Sequence, residues 1–293
     1  MTKGDSTVIA ESAPILRVLI VGAGTMGTGI AQVIAEAGID TVLHDSDPNS
    51  LSRGRSAIVS RWQRMTASAK RTAADVAAFE QRLTAGGIQD AAGADLIIEA
   101  IVEKLEAKTE LFALLATIAP PPTLFASNTS SIAITALGNA SGRPDRFVGM
   151  HFFNPVPVLP LVEIVRGQET SEATIQTSVS FAEKIGKSPV LVNDAPGFVA
   201  NRILLPMINE AVFALQEGVA TKEAIDKIMK LGMAHPMGPL ALADLIGLDI
   251  CLDILETLHR DFGDDKYRPA PLLRRMVAAG TVGRKSGRGF YEY

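Results

Sequence analysis

The sequence predicts an α/β protein in which a doubly wound, mainly parallel sheet is followed by a second, smaller all-helical domain. Three observations carry this prediction. From Ile15 to Asn193 apolar strand-like runs alternate with helical patterns, as in successive βαβ units. Beyond Asn193 only helical patterns remain. A chain of 293 residues, 47% of them hydrophobic, has material for about two domains. The boundary is therefore expected near residue 193, giving domains over 1–193 and 194–293.

Taken in order, "ILRVLIV" reads as the first strand, followed by a helix from about Met26 to Ala37 that Gly38 closes, and then by the strand "TVLHD". Two helical stretches between Pro48 and Leu83 form a hairpin. Next come "ADLIIEA", a helix from Glu103 to Ile118, and the strand-like runs "TLFASN", "RFVGMHFF" and "LVEIVRG". A helix from Ser171 to Ile185, stopped by Gly186 as a C-cap, leads into "PVLVND". The second domain reads as helices over Gly197–Gln216, Thr221–Lys230, Pro239–Ile246, Asp249–Asp261 and Pro271–Ala279.

A formal charge of −4 gives the chain no general attraction to nucleic acid or to an anionic membrane. The one cysteine, Cys251, rules out an intrachain disulfide and argues against a cysteine-based metal cluster, so no metal is expected and a reducing cytoplasm suits the protein. Residues 1–14 carry polar groups where a signal peptide needs an apolar core, and they read as a disordered tail.

The stretch "RVLIVGAGTMGTGIAQ" places Gly22, Gly24 and Gly27 in G-x-G-x-x-G spacing between a strand and a helix. The first glycine permits a tight turn, the second lets backbone approach a pyrophosphate, and the third lets helix pack on strand. Gly22, Gly24, Thr25, Met26 and Gly27 are therefore the expected cofactor-binding residues of a Rossmann-type domain. Asp45 ends the second strand about twenty residues on, where an acid accepts the ribose hydroxyls. A carboxylate there repels a 2′-phosphate, which favours NAD over NADP. A glycine turn serving only helix packing would leave Asp45 unexplained.

His151 falls at the carboxyl side of "RFVGMH", where ligands bind in open α/β sheets. Glu163 stands twelve residues later among Leu161, Val162, Ile164 and Val165, and a carboxylate in such surroundings needs a partner. If the intervening loop brings them together, Glu163 fixes the tautomer of His151 and steadies its imidazolium form, and the other ring nitrogen exchanges a proton with substrate. Oxidation of a secondary alcohol needs such a base. A lone histidine of purely structural use is the other reading.

Between Pro48 and Ala74 there is no acid, while Arg53, Arg55, Arg61, Arg64, Lys70 and Arg71 all fall inside. Arg53, Arg61, Arg64, Ser68 and Arg71 share one helical face, which suits phosphates; a solvated surface is the alternative.

The runs "GAGTMGTGIAQ", "IIEAIVEKLEAKTELF", "SNTSSI", "HFFNPVPVLPLVE", "DAPGFVANRIL", "HPMGPLALADLIGLD" and "GRKSGRGFYEY" together resemble the 3-hydroxyacyl-CoA dehydrogenase family, particularly its stand-alone bacterial 3-hydroxybutyryl-CoA members, from about Leu16 to Tyr293. The resemblance implies that His151 is the acid/base and Glu163 its orienting partner. It implies further that Ser130 and Asn201 contact the reacting oxygens and that Asn154 lies near nicotinamide and substrate. Glu103, Lys108 and Lys285 are implied as cofactor contacts, with Ser130 at the same place. Arg61 and Ser68 stand where the family holds coenzyme A, with Arg64 beside them, on a hairpin that departs from the family pattern. An acyl-CoA substrate and a homodimer joined through the helical domain are also implied, the latter agreeing with the apolar run "ALADLIGLDICLDIL".

Each role has a plainer counterpart in the residues themselves. Ser130 could cap a helix beginning near Ile132, Asn201 could face solvent from a helix, and Glu103 could answer a helix dipole. His235, between prolines, reads as structural. Two other functions stay open: a dinucleotide-binding module without catalysis, and an oxidoreductase acting on a free hydroxy or sugar acid. The combination of His151, Asn154, Glu163 and Asn201 counts against the first, and the acid-free basic hairpin against the second.

Overall fold

The computed structural model describes residues 14–293; the tail expected over 1–14 lies, apart from Pro14, outside the described residues. The chain forms two compact units that divide between Asp194 and Ala195.

The first unit runs β1 (Arg17–Val21), α1 (Thr25–Glu36), β2 (Asp40–His44), α2 (Pro48–Ala67), α3 (Ala73–Arg82), β3 (Leu83–Ala85), β4 (Leu96–Glu99), α4 (Leu105–Ile118), β5 (Leu124–Ser127), α5 (Ile134–Ala140), β6 (Phe147–Phe152), β7 (Leu161–Arg166), α6 (Glu172–Lys184) and β8 (Ser188–Asn193). Its eight strands form one sheet in the order β3-β2-β1-β4-β5-β6-β7-β8. Every pair is parallel except β6 with β7. The predicted α/β architecture is the one the chain adopts.

Val18, Leu19 and Ile20 of β1 have no exposed surface, and all of β4 and β6 is buried, so these strands are apolar on both faces because both faces are covered. β1 pairs with β2 on one side and β4 on the other, so the order reverses there and a crevice opens at the carboxyl ends. α2 begins where the Asp47 carboxylate accepts the Asn49 and Ser50 amides, with Pro48 in its first turn. Its Trp62 is fully buried and donates to Glu36 Oε1 of α1 at 2.7 Å, fixing the hairpin on that helix.

Two local differences from expectation have simple causes. β3 is additional to the expected strands, because three residues, Leu83–Ala85, are too few to show a period of two. α5 starts at Ile134, later than Ile132, because Thr129 Oγ1 accepts the Ile132 amide and turns the chain before the helix.

The second unit comprises α7 (Ala200–Gln216), α8 (Lys222–Gly232), α9 (Pro239–Ile246), α10 (Leu248–Phe262) and α11 (Pro271–Ala278). α7 begins later than the expected Gly197 because Gly197 and Phe198 hold φ of 71° and 49°, which a right-handed helix excludes. Leu205, Ile208, Val212, Leu240, Cys251, Leu255 and Leu258 build its core. The carboxylate of Asp244 accepts the Phe290 and Tyr291 amides and so ties the chain end to α9.

Candidate active site

At the end of β1 the chain turns through Gly22, whose φ is 109° and where a Cβ would stand 2.4 Å from Ala100 O. A Cβ at Gly27 would stand 1.8 Å from Gly22 O, so α1 can pack on this turn only through a glycine. At Gly24 a Cβ would meet nothing within 4 Å. The second glycine thus faces open space at the start of α1, where Thr25 and Met26 begin the helix and Gly24 makes no side-chain cap. Asp45, just beyond β2, accepts Ala23 N at 2.8 Å and Asp47 N at 2.9 Å. An open backbone cradle beside a strand-end carboxylate fits a dinucleotide.

Across the crevice, Glu99 ends β4 without exposed surface. Its carboxylate accepts from Lys108 Nζ at 2.6 Å, Ser127 Oγ at 2.6 Å and Ile101 N at 2.7 Å. Burial holds its pKa above the ordinary range, against the pull of Lys108 and of the other bonds. Lys108 also lies 3.1 Å from Glu103 Oε2. The other oxygen of Glu103 gathers Thr129 Oγ1 at 2.5 Å, Ser130 N at 2.9 Å and Ser131 N at 3.2 Å. Enclosure works to raise the Glu103 pKa, but Lys108 and the bonds from Thr129 and Ser130 outweigh it and the carboxyl lies below its ordinary value.

The side chain of Lys108, a residue expected to touch the cofactor, has no exposed surface and is bonded to Glu99 and Glu103. Glu103 fastens the loop carrying Ser130 rather than merely answering a helix dipole. Ser130 is not a helix cap either, since Ala133 precedes α5 and makes no side-chain bond.

His151 and Glu163 are direct partners across the antiparallel β6–β7 pair, so the sheet register, more than a loop, brings them together. Nδ1 lies 2.8 Å from Glu163 Oε2, and both residues are buried, at 7% and 3% exposure. An ionised carboxylate only accepts, so Nδ1 donates. The Phe153 ring packs beside the imidazole, with centroids 4.6 Å apart. Asn154 is exposed at the start of the loop over residues 153–160 that joins the two strands. Asn128 Oδ1 accepts Phe152 N at 2.9 Å and ties the end of β5 to the residue after His151.

Asn128 and Glu99 were missed by sequence reasoning. Glu99 carries a legible signal, an acid directly after the apolar run "LII", comparable to Glu163 among its apolar neighbours.

On the hairpin, Arg61 departs from expectation. Its Nε donates to Gln32 Oε1 of α1 at 2.6 Å, and it is partly buried, while Arg53 and Arg64 are exposed. Burial, helped by Arg64, lowers the Arg61 pKa from its usual value. Of the expected common face, Arg53 and Arg64 stay exposed on α2, Ser68 and Arg71 are exposed beyond its end at Ala67, and Arg61 is drawn inward by Gln32.

Within the second unit, Asn201 is 8% exposed in the first turn of α7, which excludes the solvent-facing reading. Lys285 Nζ lies 2.5 Å from Asp249 Oδ2 beside α10.

Comparison with known proteins adds the family. Residues 17–195 match the profile of the 3-hydroxyacyl-CoA dehydrogenase NAD binding domain, and residues 197–293 that of the 3-hydroxyacyl-CoA dehydrogenase C-terminal domain. A probable 3-hydroxybutyryl-CoA dehydrogenase of Deinococcus radiodurans is 55% identical over 274 residues, covering 94% of this chain and 99% of that protein. The crystal structure of (S)-3-hydroxybutyryl-CoA dehydrogenase PaaH1 from Ralstonia eutropha superposes with a TM-score of 0.92 at 48% identity, covering 95% of this chain and 99% of the other. That of FadB2 from Mycobacterium tuberculosis gives 0.93 at 43% identity, covering 96% and 100%. With both halves matched over nearly its whole length, the chain belongs to the 3-hydroxyacyl-CoA dehydrogenase family.

Proposed function

We propose that this enzyme interconverts (S)-3-hydroxyacyl-CoA and 3-ketoacyl-CoA with NAD, on short chains such as 3-hydroxybutyryl-CoA, in fatty acid and butanoate metabolism. The observation that carries the reading is the buried 2.8 Å contact of His151 Nδ1 with Glu163 Oε2, in the same unit as the dinucleotide turn. When bound, NAD supplies the two-electron carrier. This chain supplies binding, orientation and a proton.

In the oxidative direction His151 Nε2 takes the proton of the substrate 3-hydroxyl, while Glu163 accepts the Nδ1 proton as a hydrogen bond and keeps the ring in one tautomer. Reduction runs the same transfer backwards. Ser130, on the loop fastened by Glu103, and Asn201 hydrogen-bond the reacting oxygen, and Asn154 lines the nicotinamide side. Gly22, Gly24, Thr25, Met26 and Gly27 cradle the pyrophosphate, Asp45 accepts the ribose hydroxyls, and Glu103 adds a contact. Lys285 belongs to the same set by resemblance. Exposed Arg53 and Arg64 meet the coenzyme A phosphates.

The enzyme works in the cytoplasm as a homodimer joined through the helical unit. Support for the dimer comes from α8 and its flanks, where Leu231, Val219 and Met233 are 74%, 73% and 62% exposed. Among the described residues no helix is long and apolar enough to cross a membrane. A monomeric mass in sedimentation would remove the dimer.

NADH oxidation with acetoacetyl-CoA tests the activity. Rapid turnover with the thioester and little with free acetoacetate is the expected result. Turnover of the free acid alone, or NADH binding without turnover, would replace this reading by one of its competitors.

A further inference from the structure

Lys187 follows the Gly186 turn at the end of α6 and directly precedes β8. It is 9% exposed, and no carboxylate among the described residues forms an ion pair with it. Its ammonium points instead at backbone: Nζ donates to Val156 O and, at 2.9 Å, to Leu159 O. Both carbonyls belong to the loop over residues 153–160, between the strand of His151 and the strand of Glu163. The loop is folded on itself there, because Val158 N and Leu159 N both donate to Pro155 O, at 2.9 and 3.0 Å.

The opposite side of the loop is fixed as well. Val156 is 2% exposed and packs on Gly29 of α1, where a Cβ would come within 2.9 Å of the valine Cβ. Ser188 N, next to Lys187, donates to Pro160 O at 2.8 Å. One segment is thus clamped between the dinucleotide helix and a buried cation.

Stability alone does not account for that cation. Burial presses the Lys187 pKa below the usual lysine value and the more distant Glu36 carboxylate offsets this only in part, so an apolar chain of the same length would fill the space at lower cost. What the ammonium does is gather two carbonyls of a segment that has no sheet partner of its own.

We propose that Lys187 is a positioning residue: it straps the β6–β7 loop so that Asn154 and the imidazole of His151 hold a fixed station relative to α1. The inference rests on the proposed dehydrogenase activity for its catalytic consequence, but not for the strap itself. It touches neither substrate nor cofactor and takes no part in proton transfer.

Lys187→Met removes the donors at nearly constant length, and Lys187→Arg restores them. Two readouts are compared in each variant: amide exchange of Val158 and Leu159 without ligands, and steady-state kinetics with acetoacetyl-CoA and NADH. In Lys187→Met we expect exchange to accelerate and kcat to fall, each by about tenfold or more, with the Kd for NADH changed by no more than about twofold. Lys187→Arg should recover much of both. Unaltered exchange in folded Lys187→Met, or unaltered kcat with loosened amides, overturns the proposal, because a merely structural lysine would lower the melting temperature without touching turnover. Should Lys187→Met not fold, Val156→Ala loosens the same loop from the α1 side. Faster exchange with lower kcat then supports the strap, and unchanged turnover overturns it. A wild-type enzyme inactive on acetoacetyl-CoA sinks the proposed function alone, and amide exchange still decides whether Lys187 holds the loop.

Discussion

A carboxylate inside an apolar strand has few ways to be accommodated, and Glu163 and Glu99 illustrate two. Glu163 meets an imidazole on the neighbouring strand, and Glu99 meets a lysine from a helix together with a hydroxyl and an amide. The first arrangement was legible in the sequence because the histidine stood in a second apolar run. The second was not, because Lys108 lies in a helical pattern where a lysine reads as surface charge, and nothing in spacing marks it as lacking any exposed area. Asp45 was legible from the strand that precedes it, and its bonds to Ala23 and Asp47 hold the carboxylate at the glycine turn. Asp45→Asn, which removes the charge and keeps the shape, should narrow the preference for NADH over NADPH by about tenfold. Fluorescence titration at equal ionic strength measures it. Tighter NADPH binding by the wild type would refute the role given to Asp45.

At the scale of elements, the strands flanking the crevice were readable from their apolar runs, but pairing direction was not. The two strands joined by the loop over 153–160 turned out antiparallel, and that single reversal sets His151 opposite Glu163. Gly186 with Lys187 reads in the sequence as a helix C-cap, for a related reason. A lysine after a helix-ending glycine looks like the tail of a cap, and only the return of the chain shows what it binds. The sequence of the α2–α3 hairpin predicts one basic face, and the structure divides its arginines. Arg61 is bound to Gln32, whereas Arg53 and Arg64 remain outside. Reversing the outer pair to glutamate should therefore raise KM for acetoacetyl-CoA by about tenfold or more and leave NADH binding unchanged. Arg61→Ala should instead lower stability by about 1 kcal/mol, the scale of one part-buried hydrogen bond. Kinetics and urea unfolding of the variants separate the two effects. An unchanged KM in the double reversal would remove coenzyme A from this face.

At the scale of the whole molecule the chain divides into two units. The first holds the dinucleotide turn, the imidazole and the loop with Ser130; the second holds Asn201 and Lys285. In the run "ALADLIGLDICLDIL", Ala243, Leu248, Cys251, Ile254 and Leu255 belong to the core of the helical unit, while Leu245 and Ile250 are exposed. Further apolar surface lies on α8 and its flanks, with Ile228, Leu231 and Met233 exposed, and the mixed composition of that helix hides its one-sided face in the sequence. Everything proposed for catalysis depends on His151 and Glu163 acting as one device. A double-mutant cycle on kcat with acetoacetyl-CoA tests this most directly, using wild type, His151→Ala, Glu163→Gln and the double variant, with NADH binding as the check on folding. His151→Ala should lose about a hundred-fold or more, Glu163→Gln about tenfold, and the double variant should be no slower than His151→Ala alone to within about threefold. Near-normal turnover in His151→Ala, or two losses that simply multiply, would contradict it.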